Sequence, residues 1–334
     1  MIEPSKIVQA INKVKEGGNG AITIAPYEAP KDIHSNEYCL FLKPEICRST
    51  RLDRCIEAIT SRLAEFGQSP SSCRVLGSKY LIQNQIMEAH YGVIDTVSHR
   101  GAAVISDEAR ATLKKAFEAP ILETADMLGG HQFLERYSTF SADALAILYD
   151  NMSNVKLAGG THCVMLKVRG KPTILFNGFH PEQLENYTRQ DSAIVVFSIS
   201  TAFDWKKLRV DMTGATNPTR AAQGSIRRWL LENREELGLS EVSSGRNGIH
   251  VSAGPLEGMV ELLRFMSDPS APLNLGEMGF GQLLLQSGFN LQMIERLASN
   301  PTLKSGATSA PAFDLTEERN AEAAMKVLID SAVV

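Results

Sequence analysis

Apolar residues recur at helical spacing through Leu52, Cys55, Ile56, Ile59, Leu63 and Phe66, which predicts one amphipathic helix. Before it, residues 4–15 read as a short helix closed by Gly17 and Gly18, residues 21–24 as a short strand, and 38–43 as a strand that delivers Lys43 at its end. After it come a second strand over 72–78 and a shorter helix over 80–91 carrying Ile82, Ile86, His90 and Tyr91. Residues 100–160 are mostly helical in pattern, with 109–117 and 142–149 the clearest segments. A hairpin follows, 162–168 and 173–176 flanking a turn at 169–172. Pro181 suits the start of a helix over 181–187, and 193–199 is the clearest core strand.

Downstream the pattern predicts a helix near 204–212, a turn at 214–218, a helix over 224–236, and a short strand or loop over 246–252. Pro255 opens another helix with Leu256, Met259, Leu262 and Leu263 on its apolar side. A Gly- and Pro-rich connector over 267–281 leads to two tail helices, 282–298 and 315–331, the second with a capping box from Asp314 and Glu317. The piece 305–312 reads as a flexible joint. Strand–helix–strand order followed by a later helix and further strands indicates an α/β sandwich. No GxGxxG follows a strand and no GxxxxGK[ST] occurs, so neither a dinucleotide fold nor a P-loop has motif support.

Composition narrows the function. The chain has 334 residues, 43% hydrophobic and 22% charged, which excludes wholesale disorder. Its formal net charge of -4 offers no basic stripe for nucleic acid, and Trp205 and Trp229 read as packing or lid residues. Cys39, Cys47, Cys55, Cys73 and Cys163 form no CxxC pair, so zinc and a disulfide framework are poor readings and a reduced cytoplasmic protein is expected. Cys163 reads as a small buried hydrophobe. No apolar run reaches membrane-spanning length and the first residues carry no signal-like apolar core.

Polar residues with chemical potential fall at Lys43, at His90–Tyr91, between Arg209 and Arg227, and at Asn247 with His250. Together they read as an anion site containing a histidine. Lys43 offers a point charge, Arg209 and Arg227 bidentate forks, and Thr216 a hydroxyl donor. His250 can act as nucleophile or acid–base, and Glu261, eleven residues on in the next helix, can orient its far nitrogen. His99, His131 and His162 have no spacing that lifts them above structural or surface roles.

The order of these segments resembles the nucleoside diphosphate kinase family. Thr216-Asn217-Pro218, Gly224-Ser225-Ile226-Arg227 and Asn247-Gly248-Ile249-His250-Val251-Ser252 follow the family's TNP, GTIR and NxxHGSD segments, with the family's step from Pro218 to Arg227. Residues 41–45, FLKPE, look like its first-strand motif, His90-Tyr91 like its His-Tyr pair, and 178–187, GFHPEQLENY, like the segment before its central strand. The resemblance implies a ferredoxin-like βαββαβ core with inserted helices and a hairpin. It implies a catalytic domain over 37–266, interrupted at about 95–177 and again at about 229–243, between an N-terminal extension (1–36) and a C-terminal helical extension (267–334).

It also implies an activity: γ-phosphoryl transfer from ATP or another nucleoside triphosphate through phospho-His250 to a nucleotide or a specialised small molecule. Glu261 would hold the far nitrogen. Lys43, Tyr91, Arg209, Thr216, Arg227 and Asn247 would surround phosphates and sugar, and His180 (or Phe179 beside it) and Leu184 the base. Magnesium would bridge phosphate oxygens, with no metal ligand assigned to the chain. A homodimer is the expected assembly. The departures are Glu45 for aspartate, Val251 for glycine, Ala253 for aspartate, and Arg209 one residue farther from Thr216 than the pattern has it. They keep two other classes open: a nucleotidyltransferase or acid-activating enzyme, and a non-catalytic nucleotide-binding protein.

Overall fold

The structure is a computed structural model that describes residues 2–17, 20–306 and 308–331. The chain forms two compact units, one of residues 1–81 and 190–334, the other of 82–189.

The first unit is built on strands β1 (Ala21–Ala25), β2 (Asn36–Leu42), β3 (Pro70–Gly77), β4 (Ala193–Thr201) and β5 (Ile249–Val251), in the sheet order β1-β3-β4-β2-β5 with every neighbour antiparallel. Its helices include α1 (Pro4–Lys15), α2 (Leu52–Glu65), α3 (Ile226–Glu232) and α4 (Pro255–Met266). The succession β2-α2-β3-β4-α3-β5, with the sheet placing these strands β3-β4-β2-β5, is the ferredoxin-like βαββαβ arrangement. β1 extends it at the β3 edge.

β2 and most of β4 are buried on both faces, which explains their nearly unbroken apolar sequence. Alternation divides β2: Tyr38, Leu40 and Leu42 join the core beneath α1 and α2, while Phe41 turns to the opposite face, against Phe265 of α4. Ile7, Ile11 and Val14 of α1 belong to that same core, and Trp205 is fully buried in it, its indole N–H donating to Ser252 O at 3.2 Å. The C-terminal segment is tied in as well: Asn320 accepts from Trp205 N–H and Ala321 N–H donates to Asn36 Oδ1. Helix α1 and the segment around Asn320 are therefore both built into the first unit.

The second unit has a four-stranded sheet in the spatial order Asp126–Gly129, Lys171–Phe176, Thr161–Val168, Val155–Ala158. The hairpin turns through Arg169 (φ 49°) and Gly170 (φ 83°), a tighter turn than 169–172, with Pro172 already in the strand. Cys163, Ile174 and Phe176 pack on one face with Val97 and Leu113, and Val164, Leu166 and Leu175 on the other with Phe133, Leu145 and Tyr149.

Several expected elements differ. The 80–91 helix is two, Ser78–Gln83 and Ile86–His90, parted by Gln85 in the left-handed region at φ 49°. The 100–160 stretch includes strands 126–129 and 155–158, too short to show alternation. The helix near 204–212 opens with Trp205–Lys207 and widens to a π turn over Leu208–Thr213. The 224–236 helix is confined to α3. The 282–298 helix is Gly279–Gln286 and Leu291–Ala298, divided at Gly288 (φ 94°). The last helix is Ala321–Asp330, preceded by Ala312–Thr316, with Asn320 rather than Asp314 at its N-cap. Thr302–Ser305 and Thr308–Pro311 pair as antiparallel strands where a joint was expected; residue 307 and Gly18 lie outside the described residues. All five cysteines are buried thiols. No helix among the described residues is long and apolar enough to cross a membrane.

Candidate functional site

His250 is the middle residue of β5, opposite Phe41 in register, and its ring stacks on Phe41 at 4.5 Å between centroids and 17° between planes. Its Nε2 lies 2.7 Å from Oε1 of Glu261, which is 1% exposed on α4. The other oxygen of Glu261 receives the Ser252 hydroxyl at 2.5 Å, and Ser252 Oγ accepts from Cys39 N–H at 3.0 Å. A buried carboxylate with a partner on each oxygen is a fixed acceptor. It holds the proton on Nε2 and leaves the lone pair of the imidazole at Nδ1.

The loop before β5 is anchored to the end of β2. Gly248 N–H donates to Glu45 Oε1 at 2.8 Å and Gly248 O accepts from Lys43 N–H at 2.9 Å. Gly248 has φ 82°, and a Cβ there would stand 2.3 Å from Leu230 Cδ1. Gly248→Ala should therefore cost about 2–3 kcal/mol in strain and overpacking, read as a lower urea midpoint with an unchanged slope.

Arg227 stands in the first turn of α3. Its guanidinium donates to Gly214 O at 2.9 Å and to Ile249 O at 3.0 Å, binding the 214 turn to β5, while its Nε is buried with no partner among the described residues. Burial, then the charge of Arg209, push Arg227 down to about 10, against the pull of Glu45. Lys43 is pushed down to about 8 by burial, with Glu45 pulling it up and Arg227 pushing it further down. Asn247 is 1% exposed; its amide donates to Thr216 O and Ser244 O, and its Oδ1 is a buried acceptor without a donor among the described residues.

A cleft of about 560 Å³ opens beside His250, lined by Arg209, Thr216, Arg220, Arg227, Glu257 and Glu318 among others. Arg209 is shared by Glu317 at 3.4 Å and Glu318 at 3.5 Å. The C-terminal segment reaches the cleft because Glu318 N–H donates to Ala253 O at 2.9 Å. Glu257, one turn before Glu261 on α4, is pushed up to about 8 by burial, then by Glu261, with Arg209 opposing and Glu317 adding to the rise.

The sign of the resulting pH dependence follows. The folded chain holds the Glu257 proton more tightly than the unfolded chain, whose carboxyl titrates near 4.5. Stability is full below that value and declines as pH rises toward about 8. Glu257→Gln should flatten this decline, melting about 5 °C above the parent near pH 8 and nearly level with it at acid pH, by thermal unfolding across the range.

Of the residues singled out in the sequence, His250, Glu261, Arg209, Thr216, Arg227, Asn247 and Lys43 belong to the first unit. His250, Arg209, Thr216 and Arg227 line the cleft; Glu261 and Asn247 brace it from behind, and Lys43 lies close enough to Arg227 for their charges to interact. Tyr91, His180 and Leu184 belong to the second unit. Tyr91 OH lies 3.0 Å from Tyr187 OH. His180 is fully buried, with Nδ1 3.0 Å from Gln183 Oε1 and Nε2 3.0 Å from Asp95 Oδ1, so both ring nitrogens are engaged within that unit. Leu184 is half-buried on the same helix, His180–Thr188.

Sequence reasoning missed Glu257, Glu318 and Arg220. Glu257 alone carried a signal, being one turn from Glu261 on the same helix face. It also missed that His99 and His131 stack, 3.7 Å between centroids, with His131 Nδ1 2.9 Å from Ser98 Oγ. Burial and then the neighbouring His99 push His131 down to about 4, an uncharged packing ring.

No family model matches the sequence, and no curated protein matches it. Among solved structures the chain is similar to a nucleoside diphosphate kinase from Encephalitozoon cuniculi at 14% identity, over 72% of this chain and 95% of that one, with a TM-score of 0.34. It is likewise similar to one from Borrelia burgdorferi with bound vanadate and ADP (14% identity, 73% and 93% covered, TM-score 0.34) and to one from Pyrobaculum aerophilum (16% identity, 72% and 100% covered, TM-score 0.32). The site stands on its own hydrogen bonds and charges, independent of these likenesses.

Proposed function

We propose that the chain is a nucleotide-dependent phosphotransferase. His250 Nδ1 attacks the γ-phosphorus of a nucleoside triphosphate, ATP foremost. The bond to the bridging oxygen breaks, its electron pair leaves with the diphosphate, and a phosphohistidine forms that hands the group to an acceptor. The observation that carries this reading is the 2.7 Å pair between His250 Nε2 and Glu261, secured by Ser252 and set beside a cleft with arginines. Glu261 stabilises the positive charge that develops on the ring. Arg227 and Arg209 supply forks for phosphate oxygens, Thr216 a hydroxyl, and Asn247 Oδ1 awaits a donor such as a sugar hydroxyl.

Lys43, desolvated and pushed down, regains its charge preference when a phosphate approaches. Among the described residues lining the cleft, the two carboxyls are poorly suited to a resident magnesium ion: burial pushes Glu257 toward its protonated form and Glu318 lies on Arg209. Magnesium is expected to arrive with the polyphosphate, and no step is routed through it.

The test is acid-quench and alkali-stability analysis of the protein mixed with γ- or α-labelled ATP. Alkali-stable, acid-labile label from the γ position alone is the expected result. Product labelled from the α position with no phosphoprotein would overturn the reading in favour of nucleotidyl transfer. Nucleotide binding without labelling or turnover of any acceptor would reduce the chain to a binding protein.

A further inference from the structure

Two contacts meet the His250 ring from different directions. Glu261 takes its edge, with Oε1 2.7 Å from Nε2. Phe41 takes its face. The two rings lie nearly parallel, 17° between planes and 4.5 Å between centroids, which is an offset stack. The edge bond alone would let the imidazole tilt about the line from Nε2 to the carboxylate, and the stack opposes that tilt. Together they fix the direction in which Nδ1 points, and a nucleophile so aimed has less orientation left to find.

The fold supports both contacts from the same two elements. Phe41 and His250 are register partners across the antiparallel pair β2–β5, so their side chains leave one face of the sheet side by side. Phe41 is fully buried and packs against Phe265 of α4, 5.3 Å between centroids and 52° between planes. Phe265 stands one turn beyond Glu261 on that helix, so α4 braces the edge contact and the face contact at once. β2 does the same. Cys39, two residues before Phe41, donates its N–H to Ser252 Oγ, and the Ser252 hydroxyl donates to Glu261.

Charge decides what the stack adds beyond packing. A neutral imidazole gains little electrostatically from a phenyl face. When Nδ1 bonds phosphorus while Nε2 keeps its proton, the ring takes up one positive charge. A phenyl face is negative and attracts a cation within about 6 Å of its centroid, most strongly where water is excluded. Phe41 meets both conditions, at 0% exposure and beside a Glu261 that is 1% exposed. The attraction grows as the bond to phosphorus forms, and an interaction of that kind speeds the step without tightening nucleotide binding. We propose, on the phosphotransferase reading, that Phe41 is a positioning residue for His250: it aims Nδ1 and its π face stabilises the positive ring of the phosphohistidine.

The test places monofluoro-, difluoro- and pentafluorophenylalanine in turn at position 41 of the full chain, a series that nearly keeps the ring's shape while draining its face of negative charge. Each protein is labelled on His250 by two donors, γ-labelled ATP and phosphoramidate. With phosphoramidate the phosphorus–nitrogen bond breaks, ammonia leaves with its electron pair, and Nδ1 takes the phosphorus. The labelling rate should fall stepwise with fluorine, to about tenfold below the parent in the pentafluoro protein, and by the same factor with both donors. The dissociation constant for ATP should stay within about twofold of the parent's. Should the pentafluoro protein fail to fold, the difluoro protein should already label about threefold more slowly. Rates that stay level across a folded series with both donors would overturn the proposal and leave Phe41 as packing. So would a loss of rate matched by an equal loss of ATP affinity. Labelling by phosphoramidate that follows the series, with none from ATP, removes the phosphotransferase reading and leaves the role of Phe41. Labelling by ATP that ignores the series removes only that role, and no label on His250 from either donor overturns both.

Discussion

His250→Ala should carry no acid-labile label after mixing with γ-labelled ATP, and its turnover should fall by at least about a thousandfold. Among the described residues lining the cleft, none replaces the nucleophile. Arginines, Thr216 and Glu257, whose carboxyl burial pushes toward the protonated form, are poor nitrogen or oxygen nucleophiles at neutral pH. The informative comparison is Glu261→Gln. Gln keeps the size and one hydrogen bond but presents an amide that can accept from Nε2–H or donate to a bare Nε2, and it carries no charge to balance the phosphorylated ring. Labelling should persist and slow by about a hundredfold, with the alkali-stable product still on His250. Ser252→Ala removes the partner of the outer Glu261 oxygen and should act in the same direction with a smaller effect. Loss of label in Glu261→Gln together with full label in His250→Ala would mean that phosphate goes elsewhere.

The candidate residues gathered around His250 lie close in the chain or on elements that local pattern outlines, which is why the sequence could single them out. His250, Glu261 and Arg227 are singled out by residue type only weakly and chiefly by the order of segments that resembles the nucleoside diphosphate kinase family; the structure pairs His250 with Glu261, eleven residues on, through a short strand, a turn and a helix. Lys43 followed from an apolar run that had to be a buried strand and therefore ended at a definite place. What escaped notice depends on long-range docking. Glu318 enters the cleft only because the tail packs on Gly254 and bonds Ala253, and no local pattern announces that. Glu257 looks like any helix glutamate until burial and its neighbours are known. Helix breaks were missed at Gln85 and Gly288 for another reason: apolar periodicity continues across a left-handed residue, which tertiary packing can accommodate more cheaply than spacing suggests. The strands 126–129 and 155–158 span too few residues to display a period at all. His180 occupies a motif position that suggested base contact, and the structure engages both its ring nitrogens with Gln183 and Asp95.

Arg227→Met should lower both stability and nucleotide affinity, and the split between them decides what the residue is for. The guanidinium satisfies Gly214 O and Ile249 O, so methionine leaves two carbonyls short of a donor at the base of the cleft. That should cost about 2–4 kcal/mol, a fall in melting temperature of roughly 5–10 °C. The remaining nitrogen, Nε, is buried and unpartnered, and a phosphate oxygen is the acceptor the site is short of. Affinity for ATP should accordingly fall about a hundredfold in the variant, measured at a temperature where it is fully folded. Arg227→Lys separates the two roles. One ammonium retains the charge but cannot reach two carbonyls and a phosphate together, so stability should fall nearly as far as in Arg227→Met while ATP binding recovers about tenfold. A methionine variant that melts early yet binds ATP as the parent does would make Arg227 a brace between the 214 turn and β5, and phosphate recognition would then fall to Arg209, Arg220 and Thr216.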